Sequence, residues 1–170
     1  MNIWQELSKE MMRENRGDEV FLKVRIEPDA LKLAYEERRA VTVHEHEVAS
    51  SSSERIVGFG VLWQTNNEKW FEFGSLWVAP ELRGKGIAGG IYRKRLALLP
   101  SGARGFVVTH NPKVVSLALK NGFVEATPEN WHEIAPYDLV CEPCDRWTTS
   151  QEKLSCPYRA VRAQCQLLVR

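Results

Sequence analysis

Long apolar runs are missing from this 170-residue chain. None approaches the ~20 residues that a membrane span needs. The opening stretch MNIWQELSKEMMRENRGDEV carries charges throughout in place of the apolar core of a secretion signal. An excess of one charge is missing too. Against 23 lysines and arginines stand 22 aspartates and glutamates, for a net +1, which argues against a generally basic nucleic-acid-binding surface. Cysteine is absent from the first 140 residues, and all four, Cys141, Cys144, Cys156 and Cys165, crowd into the last thirty. Internal repeats are absent, as is low-complexity sequence beyond the run Ser50 to Ser53. What remains, 44% hydrophobic and 26% charged residues, has the balance of a globular domain. A chain of this length buries roughly 70% of the surface it exposes unfolded and needs no staples to fold. The expectation is a cytoplasmic protein with reduced thiols, a monomer or homodimer with neither membrane nor nucleic acid as partner.

The apolar residues that are present fall into patterns. Ile3, Trp4, Leu7 and Met11 recur at helical spacing and predict an amphipathic helix over 3–12. Phe21, Leu22, Val24 and Ile26 read as a short strand, residues 30–39 as a short helix, and the alternation from Val41 and Val43 through Val48 as another strand. Segments 56–63 and 69–78 are strand sequences joined by Gln64-Thr65-Asn66-Asn67, which predicts an antiparallel hairpin. After Pro80 come a glycine-rich loop and a helix of about twelve residues ending near Pro100-Ser101-Gly102. Residues 105–109 make a buried strand. Asn111-Pro112 then supplies an N-cap and a proline at the first helical position, and Asn121-Gly122 supplies the stop. Strands near 123–126 and 134–140 are expected beyond it.

The chemistry lies in the stretch from Leu76 to Gly90. A strand ends, spaced glycines follow, and a helix starts inside the loop. Backbone N–H groups at such a junction point outward, where the helix dipole favours negative charge. Glycines let the backbone approach a ligand that a Cβ would exclude. Arg83 and Lys85 add positive charge, so the expected ligand is a phosphate or pyrophosphate. The loop is not G-x-x-x-x-G-K-[ST], and a hairpin rather than a parallel βαβ unit precedes it, so neither common nucleotide fingerprint fits.

Arg83-x-x-Gly86-x-Ala88 after a strand ending Val78-Ala79-Pro80 resembles the acetyl-CoA signature of the GNAT acetyltransferase superfamily. Asn111 opening the next helix and Asn121-Gly122-Phe123 closing it resemble that family's second motif, over about residues 55–126 in all. The resemblance implies a mixed α/β fold: a mostly antiparallel sheet with a central parallel pair of strands that splay apart, and helices on both faces. It implies acetyl-CoA as co-substrate. Backbone groups of Leu76, Trp77 and Val78 would hold the pantetheine arm, and amides from Gly84 through Lys85, Gly86, Ile87 and Ala88 to Gly89 the pyrophosphate. Asn111 would lie near the pantetheine or the acceptor. The reaction implied is acetyl transfer to a primary amine of a small molecule, a peptide or a protein.

An ammonium cannot attack a thioester, so a base must take its proton. Glu72 shares a strand face with Trp70, Gly74, Leu76 and Val78, and some family members carry a glutamate eleven residues before the signature residue, as here. A carboxylate among aromatics is suited to that work; a solvated or salt-bridged glutamate is the alternative. The acid is where the sequence departs from the family. Many members have a tyrosine seven residues after the helix-opening Asn, and this chain has Ala118. His110, Ser116 and Tyr137 are the nearby substitutes, with His110 the candidate of suitable ordinary pKa. The missing hydroxyl keeps a second reading open, a non-catalytic acyl-CoA-binding or protein-interaction module.

Other constellations have plainer explanations. His44-Glu45-His46 lacks a third metal ligand, Arg93-Lys94-Arg95 reads as a solvated helix face within reach of a 3′-phosphate, and Trp63, Trp70 and Trp77 read as core or acceptor-cleft lining. Cys141-x-x-Cys144 is a metal knuckle that Cys156 and Cys165 would complete as a structural zinc site. Buried unligated thiols and a redox pair fit the same residues. The expected organisation is an acetyltransferase-like domain over 1–138 and a cysteine-containing extension over 139–170 packed on it.

Overall fold

The computed structural model describes residues 2–15, 26–48, 52–109, 111–134 and 166–170. Six helices and six strands alternate in a mixed α/β fold among them: α1 (Ile3–Asn15), α2 (Pro28–Glu36), β1 (Ala40–His44), α3 (Glu45–Val48), β2 (Ile56–Gln64), β3 (Trp70–Val78), α4 (Ile87–Leu98), β4 (Arg104–Thr109), α5 (Pro112–Lys120), β5 (Val124–Glu125), α6 (Pro128–Ile134) and β6 (Gln166–Val169). A single 3₁₀ turn, Pro80–Leu82, links β3 to the loop before α4. The strands form one sheet in the order β1-β2-β3-β4-β6-β5. The β3–β4 pair is parallel, with Trp70, Phe71 and Glu72 opposite Arg104, Gly105 and Phe106. The chain packs as two compact units.

The first unit takes the described residues up to Trp63 together with Phe73–Ser101. Its core gathers Leu7 and Met11 of α1, Leu31 and Ala34 of α2, Val41 and Val43 of β1, and Val57, Phe59 and Val61 of β2. From Ile56 to Trp63, β2 is buried at every position, the mark of a strand covered on both faces. Helix α4 lies close against it because β2 carries glycine where the helix crosses. A Cβ on Gly60 would come within 2.8 Å of Ile91 Cγ2, a distance that real side chains do not tolerate.

The second unit holds Gln64–Glu72 and the described residues from Gly102 onward. Strand β6 pairs antiparallel with β4, from Phe106↔Val169 to Thr109↔Gln166, and with β5. Its Leu167 and Val169 pack with Trp70, Phe106 and Ile134 in a separate small core. The stretch Phe21 to Val24 and residues 135–140, both expected as strand, lie outside the described residues, and Ile134 closes α6 instead.

Two expectations need correction. The alternating run through Val48 does not stay extended, because β1 ends at His44 and a helical turn follows. There the Glu47 carboxylate accepts the His44 N–H at 3.0 Å. The charge run Arg93-Lys94-Arg95 is not one solvated face: Arg93 and Lys94 are exposed, but Arg95 is fully buried. The three tryptophans at 63, 70 and 77 are all buried, as core residues should be.

Candidate functional site

The stretch from β3 into α4 is built from local rules. Strand β3 buries Trp70, Phe71, Phe73, Ser75 and Trp77 and leaves Glu72, Gly74 and Leu76 half-buried. It is not evenly extended. Ser75 has φ +49, a left-handed conformation that a non-glycine residue adopts at a cost. A left-handed residue inside a strand re-aims the backbone groups that follow it, here those of Leu76. The buried Trp63 indole donates to the Ser75 hydroxyl at 3.0 Å, which ties the kink to β2.

Beyond Val78 the chain turns through Pro80–Leu82 and enters the glycine loop. Gly84 and Gly86 have φ +78 and +82, and an added Cβ at either would meet nothing within 4 Å. Conformation, not crowding, selects glycine here. Gly86 is the N-cap of α4, no side chain caps the helix, and no acidic residue lies in its first turn. The first intrahelical bond is Gly90 N–H to Gly86 O at 3.1 Å. The N–H groups of Ile87, Ala88 and Gly89 precede it, so they lack an i−4 carbonyl inside the helix. Residues 83–86 are exposed. The result is an open, positively polarised helix end.

Arg83 does more than add charge to this mouth. Its Nε donates to Val78 O at 2.9 Å, and its Nη2 lies 2.6 Å from the Glu14 carboxylate of α1. Trp77 Nε1 donates to the same carboxylate at 2.9 Å. A second pair of bonds runs parallel. Arg55 binds Glu10 of α1 at 3.0 Å and Glu81 at 2.7 Å, and these hydrogen bonds raise the guanidinium's pKa further above its ordinary value. The Glu81 carboxyl is held below the usual carboxylate range, by its own backbone N–H first and by Arg55 second. Helix α1 thus grips the strand end and the start of the loop through Glu10 and Glu14, four residues apart. Nothing in the apolar pattern of α1 announces that role; the spacing of the two glutamates on one helix face is the available signal.

Of the predicted site residues, Leu76, Trp77, Val78, Arg83, Gly84, Lys85, Gly86, Ile87, Ala88 and Gly89 come together in the first unit. Glu72 and Asn111 belong to the second. Glu72 is half-buried between buried Phe71 and Phe73 and lies opposite Phe106 in the parallel ladder. Asn111 caps α5, its Oδ1 accepting the Lys113 N–H at 2.9 Å. Ala118 is fully buried in α5, so the missing hydroxyl is replaced by packing. His110 lies outside the described residues, as do Tyr137, Cys141, Cys144, Cys156 and Cys165. Among the described residues no group of three or more His, Cys, Asp or Glu side chains is placed to hold a metal ion. His44 and His46 stack at 5.6 Å with Glu54 near both. No helix among the described residues is long and apolar enough to cross a membrane.

Known proteins share this fold. A family model described as the acetyltransferase (GNAT) family matches residues 4–123. A protein from Mycobacterium tuberculosis solved in complex with CoA superposes with a TM-score of 0.60 at 16% identity, over 98% of this chain and 93% of that one. A phosphinothricin acetyltransferase from Sinorhizobium meliloti in complex with acetyl-CoA gives 0.58 at 14% identity, over 74% and 71% of the two chains. A ribosomal-protein-alanine N-acetyltransferase from Brucella melitensis gives 0.57 at 12% identity, over 73% and 80%. At these identities the likeness is one of fold. No curated protein sequence matches this one.

Proposed function

This chain belongs to the acetyltransferase (GNAT) family, and on that premise we propose that it transfers an acetyl group from acetyl-CoA to a primary amine. The observation that carries the proposal is the start of α4: a helix with glycine at its N-cap, no side-chain cap and no acid in its first turn. A helix end left in that state suits an external anion. The pyrophosphate of CoA would take the amides from Gly84 to Gly89, and the pantetheine arm would lie along the backbone of Leu76, Trp77 and Val78.

Chemistry follows from what the reaction needs. The acceptor ammonium gives its proton to Glu72, directly or through a water, and the free amine attacks the thioester carbonyl. The carbonyl oxygen gains charge, and a backbone N–H of β3 just beyond the Ser75 kink is the donor available to stabilise it. The tetrahedral intermediate gives its second nitrogen proton to water and collapses, the C–S bond breaks, and the thiolate leaves. With an ordinary thiol pKa near ~8.5, that thiolate departs without an obligatory acid, which suits a chain that places alanine where many relatives carry tyrosine. Water, or an acid beside it, returns the proton.

The relatives of similar fold include one named for phosphinothricin and one named for ribosomal-protein alanine. The acceptor is therefore proposed only as a primary amine. A thiol-release assay over a panel of small amines and peptides tests the reading. The wild type should release CoA with at least one acceptor, and Glu72→Gln should lower turnover about a hundredfold. The buried Ala118 favours one competing reading, a non-catalytic acyl-CoA binder. Stabilisation by acetyl-CoA without thiol release from any amine would establish that reading in place of the enzyme.

A further inference from the structure

Arg95 is a charged residue where α4 needs an apolar one. It is fully buried, and it faces β2 across the space that Gly60 leaves: a Cβ there would stand 3.1 Å from Arg95 Nε and 2.8 Å from Ile91 Cγ2. Its guanidinium carbon lies 5.0 Å from the Phe73 ring centre and 4.7 Å from that of Tyr92, and these two rings stack at 5.5 Å. Burial raises the Tyr92 hydroxyl above its ordinary range, with the arginine's charge opposing it. Nη1 of Arg95 donates to two strand carbonyls, Val61 O at 3.2 Å and Gly74 O at 3.1 Å.

Burying a guanidinium costs more than burying a leucine or methionine of similar volume. An apolar residue would fill this space and stabilise α4 against β2 at lower cost. What the arginine adds is a fixed planar donor between two strands. The point it holds is specific. Gly74 immediately precedes Ser75, the residue at which β3 leaves the extended conformation, and Leu76 follows.

We infer that Arg95 is a positioning residue that clamps the Gly74–Ser75 kink of β3 and thereby fixes the Leu76 backbone that receives the thioester. This rests on the proposed acetyl transfer and assigns the clamp to a residue that touches neither acetyl-CoA nor amine. The loop amides of α4 lie outside the clamp, so cofactor affinity and turnover should respond differently when it is released.

The test compares wild type, Arg95→Met and Arg95→Lys. Acetyl-CoA affinity is measured by calorimetry, turnover by thiol release, and backbone mobility by hydrogen exchange of the 73–78 amides in the free protein. In Arg95→Met, affinity should stay within about threefold while kcat falls about tenfold or more, and exchange in 73–78 should accelerate. Arg95→Lys, which keeps the charge and one donor direction, should fall between the two; it also carries the test if the methionine variant does not fold. Unchanged exchange with wild-type kcat in a folded Arg95→Met overturns the clamp. Equal losses of affinity and turnover overturn it too, because they describe a packing defect. If the wild type releases no thiol from any amine, the proposed reaction fails instead. Exchange then decides the clamp alone: faster exchange in Arg95→Met upholds it and unchanged exchange overturns it.

Discussion

Helices α4 and α5 each follow a strand of the parallel pair, and they begin in opposite ways. Helix α5 is closed by its own sequence. Asn111 accepts the Lys113 N–H through its side chain, Pro112 occupies the first turn, and the Asn111 carbonyl takes the N–H groups of Val114 and Val115. Helix α4 is left open. Glycine in a left-handed conformation stands at its N-cap, no side chain reaches back, and the preceding loop is exposed. One helix satisfies its N-terminal donors internally, and the other keeps them for something outside the chain. Closure is cheap, since one Asn and one Pro suffice. Its omission at α4 therefore marks the anion site more firmly than the glycines do by themselves.

The largest effect should come from giving α4 a charge of its own. An added Cβ at Gly90 meets nothing within 4 Å, so Gly90→Asp puts an acidic side chain in the first turn with room for its Cβ. Two like charges about 6 Å apart at an effective dielectric of about 40–80 repel by about 0.7–1.4 kcal/mol, and a pyrophosphate carries two. Acetyl-CoA affinity should fall about ten- to a hundredfold, less so at high salt. The free protein should become slightly more stable, because the acid suits the helix dipole and replaces a helical glycine. Calorimetry at two salt concentrations with a parallel melt checks both signs. Tighter binding would mean that the anion sits elsewhere.

Gly86→Ala is the next smaller effect. At φ +82 an alanine costs about 1–2 kcal/mol of stability. A methyl there has open space in the free chain, so any loss of acetyl-CoA affinity beyond the stability loss reports contact with the ligand. The expected loss is about tenfold, read as a smaller thermal shift at saturating acetyl-CoA. An unaltered shift would remove Gly86 from the binding surface.

The same contrast explains what the sequence made legible. Helix ends are local, and the spacing of Asn111, Pro112 and Gly122 or of Gly84 and Gly86 states them within a few residues. Strands β2 and β4 were legible from their apolar stretches at 56–63 and 106–108, and β3 from its aromatic residues on either side of Glu72, Gly74 and Ser75. The anion loop was legible for both reasons. Arg95 was not, because its partners, Val61 O, Gly74 O and the Phe73 ring, lie 21 or more residues away in the chain. A neighbouring Arg93 and Lys94 make it look like one more surface charge. Strand β6 was missed for a related reason: four residues, Gln166–Val169, gain strand character only by pairing with β4 and β5. The grip of Glu14 on Trp77 and Arg83 spans more than sixty residues, and its local trace is no more than the four-residue spacing of Glu10 and Glu14. The kink at Ser75 is likewise silent, since serine in an apolar strand advertises nothing about φ.

The smallest expected effect comes from opening the closed helix. Asn111→Ala removes the bond to the Lys113 N–H, and loss of an N-cap costs about 1 kcal/mol. For a chain of this size that lowers Tm by about 3 °C. Asn111→Ser should restore most of it, because a serine hydroxyl caps nearly as well. Since the Asn111 side chain is occupied by its own helix, acetyl-CoA affinity should stay within about threefold in both variants, well short of the changes at Gly90 and Gly86. The serine variant separates two roles that alanine confounds. If Asn111→Ser melted like the wild type but bound acetyl-CoA tenfold more weakly, the asparagine would be serving the cofactor as well as the helix. The closed start of α5 would then be part of the site rather than its counterexample.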